Sequence, residues 1–207
     1  MEYWTRRVFL QEIEVQCRWA LRAYDDMLDQ IELTPRYGGS GRTFSAVQAF
    51  LTAVANVSKI FCTAAYKSPP AWRQRCEDRG RLLRRLLKVT KRSPVLSRKL
   101  RDDYEHFEER IQDWADKPAS ARGAPVDGIL IKHGEAWAFI GPVGMTTRPP
   151  TRKDSMRCLR VLYFPEMTAT FYHHRYNLER LRNELERIMN AANGETMKMM
   201  LYPEDYR

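Results

Sequence analysis

From about Arg7 to Leu33 apolar residues recur at Phe9, Ile13, Cys17, Ala20, Tyr24, Met27 and Ile31. Steps of three and four place them on one helical face. Pro35 and the run Gly38-Gly39-Ser40-Gly41 end that helix. Phe44, Val47, Leu51, Val54, Phe61 and Ala65 repeat the spacing in a second helix, stopped by Ser68-Pro69-Pro70. A third is predicted from about Ala71 to Thr90, carrying Trp72, Leu82, Leu83, Leu86, Leu87 and many arginines. Ser93-Pro94 then reads as an N-cap followed by proline at the first helical position. The fourth helix continues through Leu96, Leu100, Tyr104, Phe107, Ile111 and Trp114 to Pro118. Four long helices with short connections predict a mainly α chain built on an up-down bundle.

The pattern changes after Ala119-Ser120-Ala121-Arg122-Gly123. Ile129-Leu130-Ile131, His133-Gly134 and Ala136 to Ile140 read as a tight hairpin. A Pro- and Thr-rich loop, Thr146 to Thr151, leads to a second pair: Leu159, Val161 and Tyr163 before Pro165-Glu166, Ala169 and Phe171 after it. A last helix follows Asn177, with Leu178, Leu181, Leu185 and Ile188 at helical spacing. The expected organisation is a helical bundle over 1–117, a hairpin and helix elaboration over 123–193, and a tail over 194–207. The Met-rich run Met197 to Met200 reads either as a frayed end or as packing.

Composition narrows the function classes. Hydrophobic residues at 43% and aromatics at 11% suit a globular chain and exclude wholesale disorder. Charges are expected to interrupt every apolar run before the ~20 residues of a membrane span, and Gln11 and Glu12 cut short the Val8-Phe9-Leu10 run that a signal peptide would need. Neither a membrane partner nor a leader is expected, and the cytoplasm is the expected compartment. Cys17, Cys62, Cys76 and Cys158 lack paired spacing, so they read as free thiols, with no metal and no cofactor expected.

Charge is segregated. Between Arg73 and Arg101 twelve Lys and Arg face only Glu77 and Asp78, whereas from Asp102 to Asp116 seven acids face only Arg110. Such blocks suit a polyanion partner, a self-complementary assembly, or two solvated helix faces. Arg81, Arg84, Arg85, Lys88 and Arg98 are the candidates for RNA phosphates. The alternative pairs the third-helix arginines with the acidic fourth helix of the same or another chain.

The fourth helix also holds Arg101-Asp102-Asp103-Tyr104-Glu105-His106. With Leu100 set at zero, Leu100, Tyr104, Phe107, Ile111 and Trp114 fall within about ±40° on a helical wheel. Arg101, Glu105, Asp102 and His106 fall near ~100°, ~140°, ~200° and ~240°, away from that stripe. Asp102 and His106, four apart, are placed to hydrogen-bond, which would fix the imidazole tautomer. Arg101 supplies a fork for phosphate. A histidine to take the ribose 2′-OH proton, an orienting carboxylate and an arginine for the charge on phosphorus suffice to cut RNA without metal. On one helix Arg101 and His106 stand ~7.5 Å and ~140° apart, too splayed to converge, so two copies across a dimer seam are required.

At Arg101, Asp102 and His106 the chain resembles the HEPN family of small helical-bundle proteins, whose late helix carries Arg-x4-His with a polar residue after the Arg. The resemblance implies a metal-independent endoribonuclease of toxin or antiphage type. It also implies a composite active site at a homodimer cleft, and an antitoxin or defence partner. In those roles His106 is the general base, Arg101 the stabiliser of the transition state and Asp102 the orienting group. Some members act as non-catalytic nucleotide-binding or protein-interaction bundles, and that alternative stays open.

Two further patterns carry less. Gly38-Gly39-Ser40-Gly41-Arg42-Thr43 lacks the Gly-Lys-Ser/Thr ending and the preceding strand of a phosphate loop, so it reads as a linker. His173 and His174, adjacent in a strand, point to opposite faces and cannot chelate one metal together.

Overall fold

The computed structural model describes residues 1–37, 40–62, 69–116, 127–133, 136–141, 144–145, 158–172 and 174–206. The runs Ala119 to Gly123 and Thr146 to Thr151, together with Gly38, Gly39, Ala65 and His173, lie outside the described residues. The protein is mainly helical. Among the described residues its α-helices are α1 (Tyr3–Tyr37), α2 (Gly41–Phe61), α3 (Pro70–Leu86), α4 (Arg98–Glu105), α5 (Phe107–Ala115) and α6 (Leu178–Leu201). The strands are β1 (Asp127–His133), β2 (Ala136–Gly141), β3 (Gly144–Met145), β4 (Arg160–Phe164), β5 (Thr168–Phe171) and β6 (His174–Asn177).

The long fourth helix expected from Pro94 onward does not form. In its place are a 3₁₀ turn, Pro94–Leu96, and the short helices α4 and α5, interrupted at His106 with φ −114° and ψ 38°. Ser93 does not cap a helix, because its hydroxyl donates to Glu184 Oε1 at 2.6 Å. Ser97 Oγ instead accepts the Leu100 amide at 3.4 Å, so helix resumes only at Arg98.

The chain forms two compact units, neither a single stretch of sequence. The first comprises Met1–Arg22, Phe50–Arg101 and Leu181–Arg207, and the second Ala23–Ala49 and Asp102–Arg180. In the first unit Leu10, Ile13 and Cys17 of α1, Phe50, Leu51, Val54 and Phe61 of α2, Leu83 of α3 and Leu185 and Ile188 of α6 are buried. Each such aliphatic or aromatic side chain stabilises the fold by about 1.5–3 kcal/mol before entropy is charged. Polar ties fix the helices against one another. Tyr3 Oη donates to the Met199 carbonyl at 3.0 Å, Asn56 Nδ2 to Gln16 Oε1 at 3.2 Å, and Arg187 Nη1 to the Leu87 carbonyl at 2.9 Å. The Met-rich run belongs to α6, with Met199 buried and Met197 and Met200 exposed, so packing governs one face of it.

Helix α2 departs from the expectation that charges break every apolar run. Its 21 residues are long and apolar enough to cross a bilayer by length and composition, and its most apolar 18-residue stretch, of mean hydropathy 1.3, is 56% buried inside the protein.

In the second unit the strands form one sheet in the order β3-β2-β1-β4-β5-β6. The pairs expected from the sequence are present as antiparallel ladders, β1 with β2 and β4 with β5. The sequence left unseen that β1 and β4 pair in parallel, with Asp127 opposite Arg160 and Ile129 opposite Leu162. Ile129, Leu130 and Ile131 are buried in succession, as are Val161, Leu162 and Tyr163, which marks central strands covered on both faces. At the head of the parallel pair Arg160 grips Asp127 with two bonds, Nε to Oδ1 at 2.5 Å and Nη2 to Oδ2 at 3.0 Å. The same guanidinium reaches Gln48 Oε1 at 3.3 Å and lies 5.8 Å from the Phe44 ring centroid, docking the start of α2 on the sheet.

Candidate functional site

The segment expected to carry chemistry is built differently from the wheel. Arg101, expected on the polar side, is only 8% exposed, and its Nη1 donates to the Cys62 carbonyl at 2.6 Å. Arg84 Nη1 donates to the Phe61 carbonyl beside it and lies 3.3 Å from Cys62 Sγ. Phe61 ends α2, and the last carbonyls of a helix have no partner within it and carry partial negative charge. Two guanidinium groups therefore answer the C-terminus of α2. Both arginines, expected to face phosphate, donate to backbone in this structure.

His106 sits at the break between α4 and α5 with half its side chain exposed. Its Nδ1 lies 3.1 Å from Glu109 Oε1, so Glu109, and not Asp102, pairs with the imidazole. Asp102 is half-buried, and its main-chain carbonyl, not its carboxylate, accepts the His106 amide at 3.0 Å. The Asp102–His106 side-chain bond is thus absent. The helical bond between the two backbones is kept, while at His106 itself φ and ψ leave helical values and the imidazole turns to Glu109.

A carboxylate the sequence reading passed over lies at the centre of this region. Asp103 is fully buried and accepts from His174 Nδ1 at 2.6 Å, from the Tyr176 hydroxyl and from Arg110 Nε at 3.3 Å. Asp103 and Arg110 are seven residues apart, two helical turns, so they share one face and the long arginine side chain reaches back to the carboxylate. His174 and Tyr176 alternate along β6, so they share one face and reach the same acceptor. Tyr104 stacks beside them with Phe107 and Phe171, whose rings lie 5.3 Å apart and nearly parallel. Burial, and then the bond to Asp103, push the Tyr176 hydroxyl well above its ordinary pKa. All three donors share this one carboxylate, and the cluster ties α4, α5 and β6 together.

The basic block divides by direction. Arg81, Arg85, Lys88, Lys91, Arg92, Arg98 and Lys99 are exposed, and no acid occurs between Arg79 and Arg101. Arg81 pairs with Asp78 along α3, an exposed contact of small energetic weight. Lys88 follows α3 with a left-handed φ of 52°, which ends the helix and leaves the cation outside. Of the five residues assigned to RNA, Arg81, Arg85, Lys88 and Arg98 are exposed and Arg84 is turned inward. Among the described residues no group of three His, Cys, Asp or Glu side chains is placed to hold a metal ion.

Comparison with known proteins identifies no relative: no protein-family model, no curated protein and no solved structure matches the chain.

Proposed function

We propose that the protein is a non-catalytic RNA-binding module, in which the exposed cations from Arg81 to Lys99 hold the phosphate backbone and the HEPN-like residues serve the fold. The observation that carries this reading is the use of Arg101. Its guanidinium is buried against the Cys62 carbonyl, so it cannot meet a scissile phosphate without vacating the end of α2. Seven exposed cations within nineteen consecutive residues, uninterrupted by acids, supply the sequence-independent attraction on which phosphate binding rests. In this reading the carboxylates of α5 face solvent or a second copy of the chain.

A second reading, the metal-independent ribonuclease, keeps one specific support: His106 is half-exposed with a carboxylate partner, a state fit for proton transfer. Incubation of the full chain with labelled single-stranded RNA in EDTA separates the two. The RNA-binding reading expects retention of RNA on a filter, loss of retention in Arg85→Glu/Lys88→Glu, and no new RNA ends. Cleavage abolished by His106→Ala would replace it with the ribonuclease.

A further inference from the structure

Helices α1 and α3 line a half-open cavity of about 550 Å³ in the first unit, within the range of small-molecule sites. Trp72 and Arg75 on α3 line it with Arg79 one turn further, while Thr5 and Phe9 face them from α1. Spacings of three and four bring each set onto one helical face. The lining combines ring surface and cation. Arg75 lies 5.3 Å from the Trp72 ring centroid, and Arg79 lies 4.3 Å from that of Phe9. Trp72 is 49% exposed, a large ring to leave in water beside a hollow.

We infer that this cavity receives one nucleotide of a bound single strand, the base against Trp72 and Phe9 and the phosphate on Arg75 and Arg79. Aromatic platforms flanked by arginine hold bases of any sequence, because every base offers a π-face and every nucleotide a phosphate. Two acids, Glu2 and Asp78, also line the hollow. Asp78 already accepts from Arg81 and from Gln74, whose bonds hold its carboxyl below the usual range, so its charge is answered before a ligand arrives. An apolar ligand would make no use of the arginines, and a bare anion would leave the rings uncovered. A nucleotide meets both.

The inference rests on the RNA-binding reading, and the test separates the two. AMP, adenosine, inorganic phosphate and hexa-adenylate would be titrated into the full chain by calorimetry. AMP is expected to bind, with adenosine and phosphate each about tenfold weaker or more. Thr5→Trp, which fills the hollow from an exposed position of α1, and Trp72→Ala should each weaken AMP about tenfold, with helical content unchanged by circular dichroism. Both should also weaken hexa-adenylate. Arg85→Glu/Lys88→Glu should weaken hexa-adenylate and leave AMP untouched. Absence of AMP binding, equal binding by Thr5→Trp and Trp72→Ala, or phosphate alone binding as tightly as AMP would overturn the inference. If hexa-adenylate binding and its dependence on Arg85 and Lys88 survive such a result, only the cavity assignment falls. If they are lost too, the RNA-binding reading falls with it.

Discussion

Gly80, in the interior of α3, is a position where two physical effects oppose each other and the structure decides between them. An alanine there should favour the helix by about 0.5–1 kcal/mol, through lower unfolded-state entropy and better propensity. A Cβ built on Gly80, however, lies 2.2 Å from the Phe61 carbonyl oxygen and 3.1 Å from its carbon. Real Cβ atoms do not approach closer than 3.0 Å, and the obstacle is backbone at the end of α2. Relief requires α3 to withdraw by most of an ångström. That loosens the packing of buried Cys76 and Leu83 and stretches the bond from Arg84 to the same carbonyl. Overpacking of this kind costs about 1–3 kcal/mol and a weakened charged hydrogen bond about 1 kcal/mol more, so the net effect of Gly80→Ala is a loss of about 1–3 kcal/mol. In a chain of this length that lowers the melting temperature by roughly 2–12 °C. Gly194, exposed in α6 with nothing within 4 Å of an added Cβ, is the control. Gly194→Ala should stabilise by about 0.5–1 kcal/mol. Urea unfolding followed at 222 nm measures both. A Gly80→Ala protein as stable as the parent would refute the close approach of α3 to the end of α2.

Asp103→Ala should destabilise by about 3–5 kcal/mol, since it strips the acceptor from the Tyr176 hydroxyl and from two cationic or ionisable donors; a loss below 1 kcal/mol in urea titrations would contradict the cluster. Stability should also fall in alkali. Burial, reinforced by Glu14, raises the Cys17 thiol from 9.0 to about 12, so its contribution is complete below pH 9 and disappears as pH rises from 9 to about 12. The slope is at most about 1.4 kcal/mol per pH unit for that one proton, and Cys17→Ala should flatten the fall of the urea midpoint between pH 9 and 11. Arg101→Ala should lower stability by about 2–3 kcal/mol, whereas His106→Ala, at a half-exposed position, should change it by under ~0.5 kcal/mol; equal effects in thermal melts would contradict their opposite placements.

Much of the fold was legible because it follows periodicity. The core positions of α1 and α2, the β1–β2 hairpin and the β4–β5 pair all show in the spacing of apolar residues. The parallel pairing of β1 with β4 was not, since it joins strands thirty residues apart and depends on the grip of Arg160 on Asp127. The fourth helix misled for a related reason. Its apolar stripe is real on paper, yet Asp103 lies near −60° on the same wheel, at the stripe's edge. A carboxylate so placed must find donors or stay out of the core. That requirement, met by His174, Tyr176 and Arg110, accompanies the break at His106 and was the signal available in the sequence. Arg101 was misread because a wheel scores distance from an apolar stripe and knows nothing of the carbonyls that end a neighbouring helix. The basic block, by contrast, needed no partner to be read, and only direction separated inward Arg84 from its exposed neighbours.

The salt dependence of RNA binding tests the central claim most directly. Dissociation constants for a single-stranded RNA would be measured from about 50 to 200 mM salt, for the parent chain and for Arg85→Ala, Lys88→Ala and the double variant. The log of affinity should fall linearly with the log of salt, and each cation removed should reduce the slope by about 0.7. Arg84→Gln, which removes a cation at an inward position, should leave the slope unchanged. A slope near zero for the parent, or one indifferent to Arg85 and Lys88, would contradict the claim that these exposed cations hold the phosphate backbone.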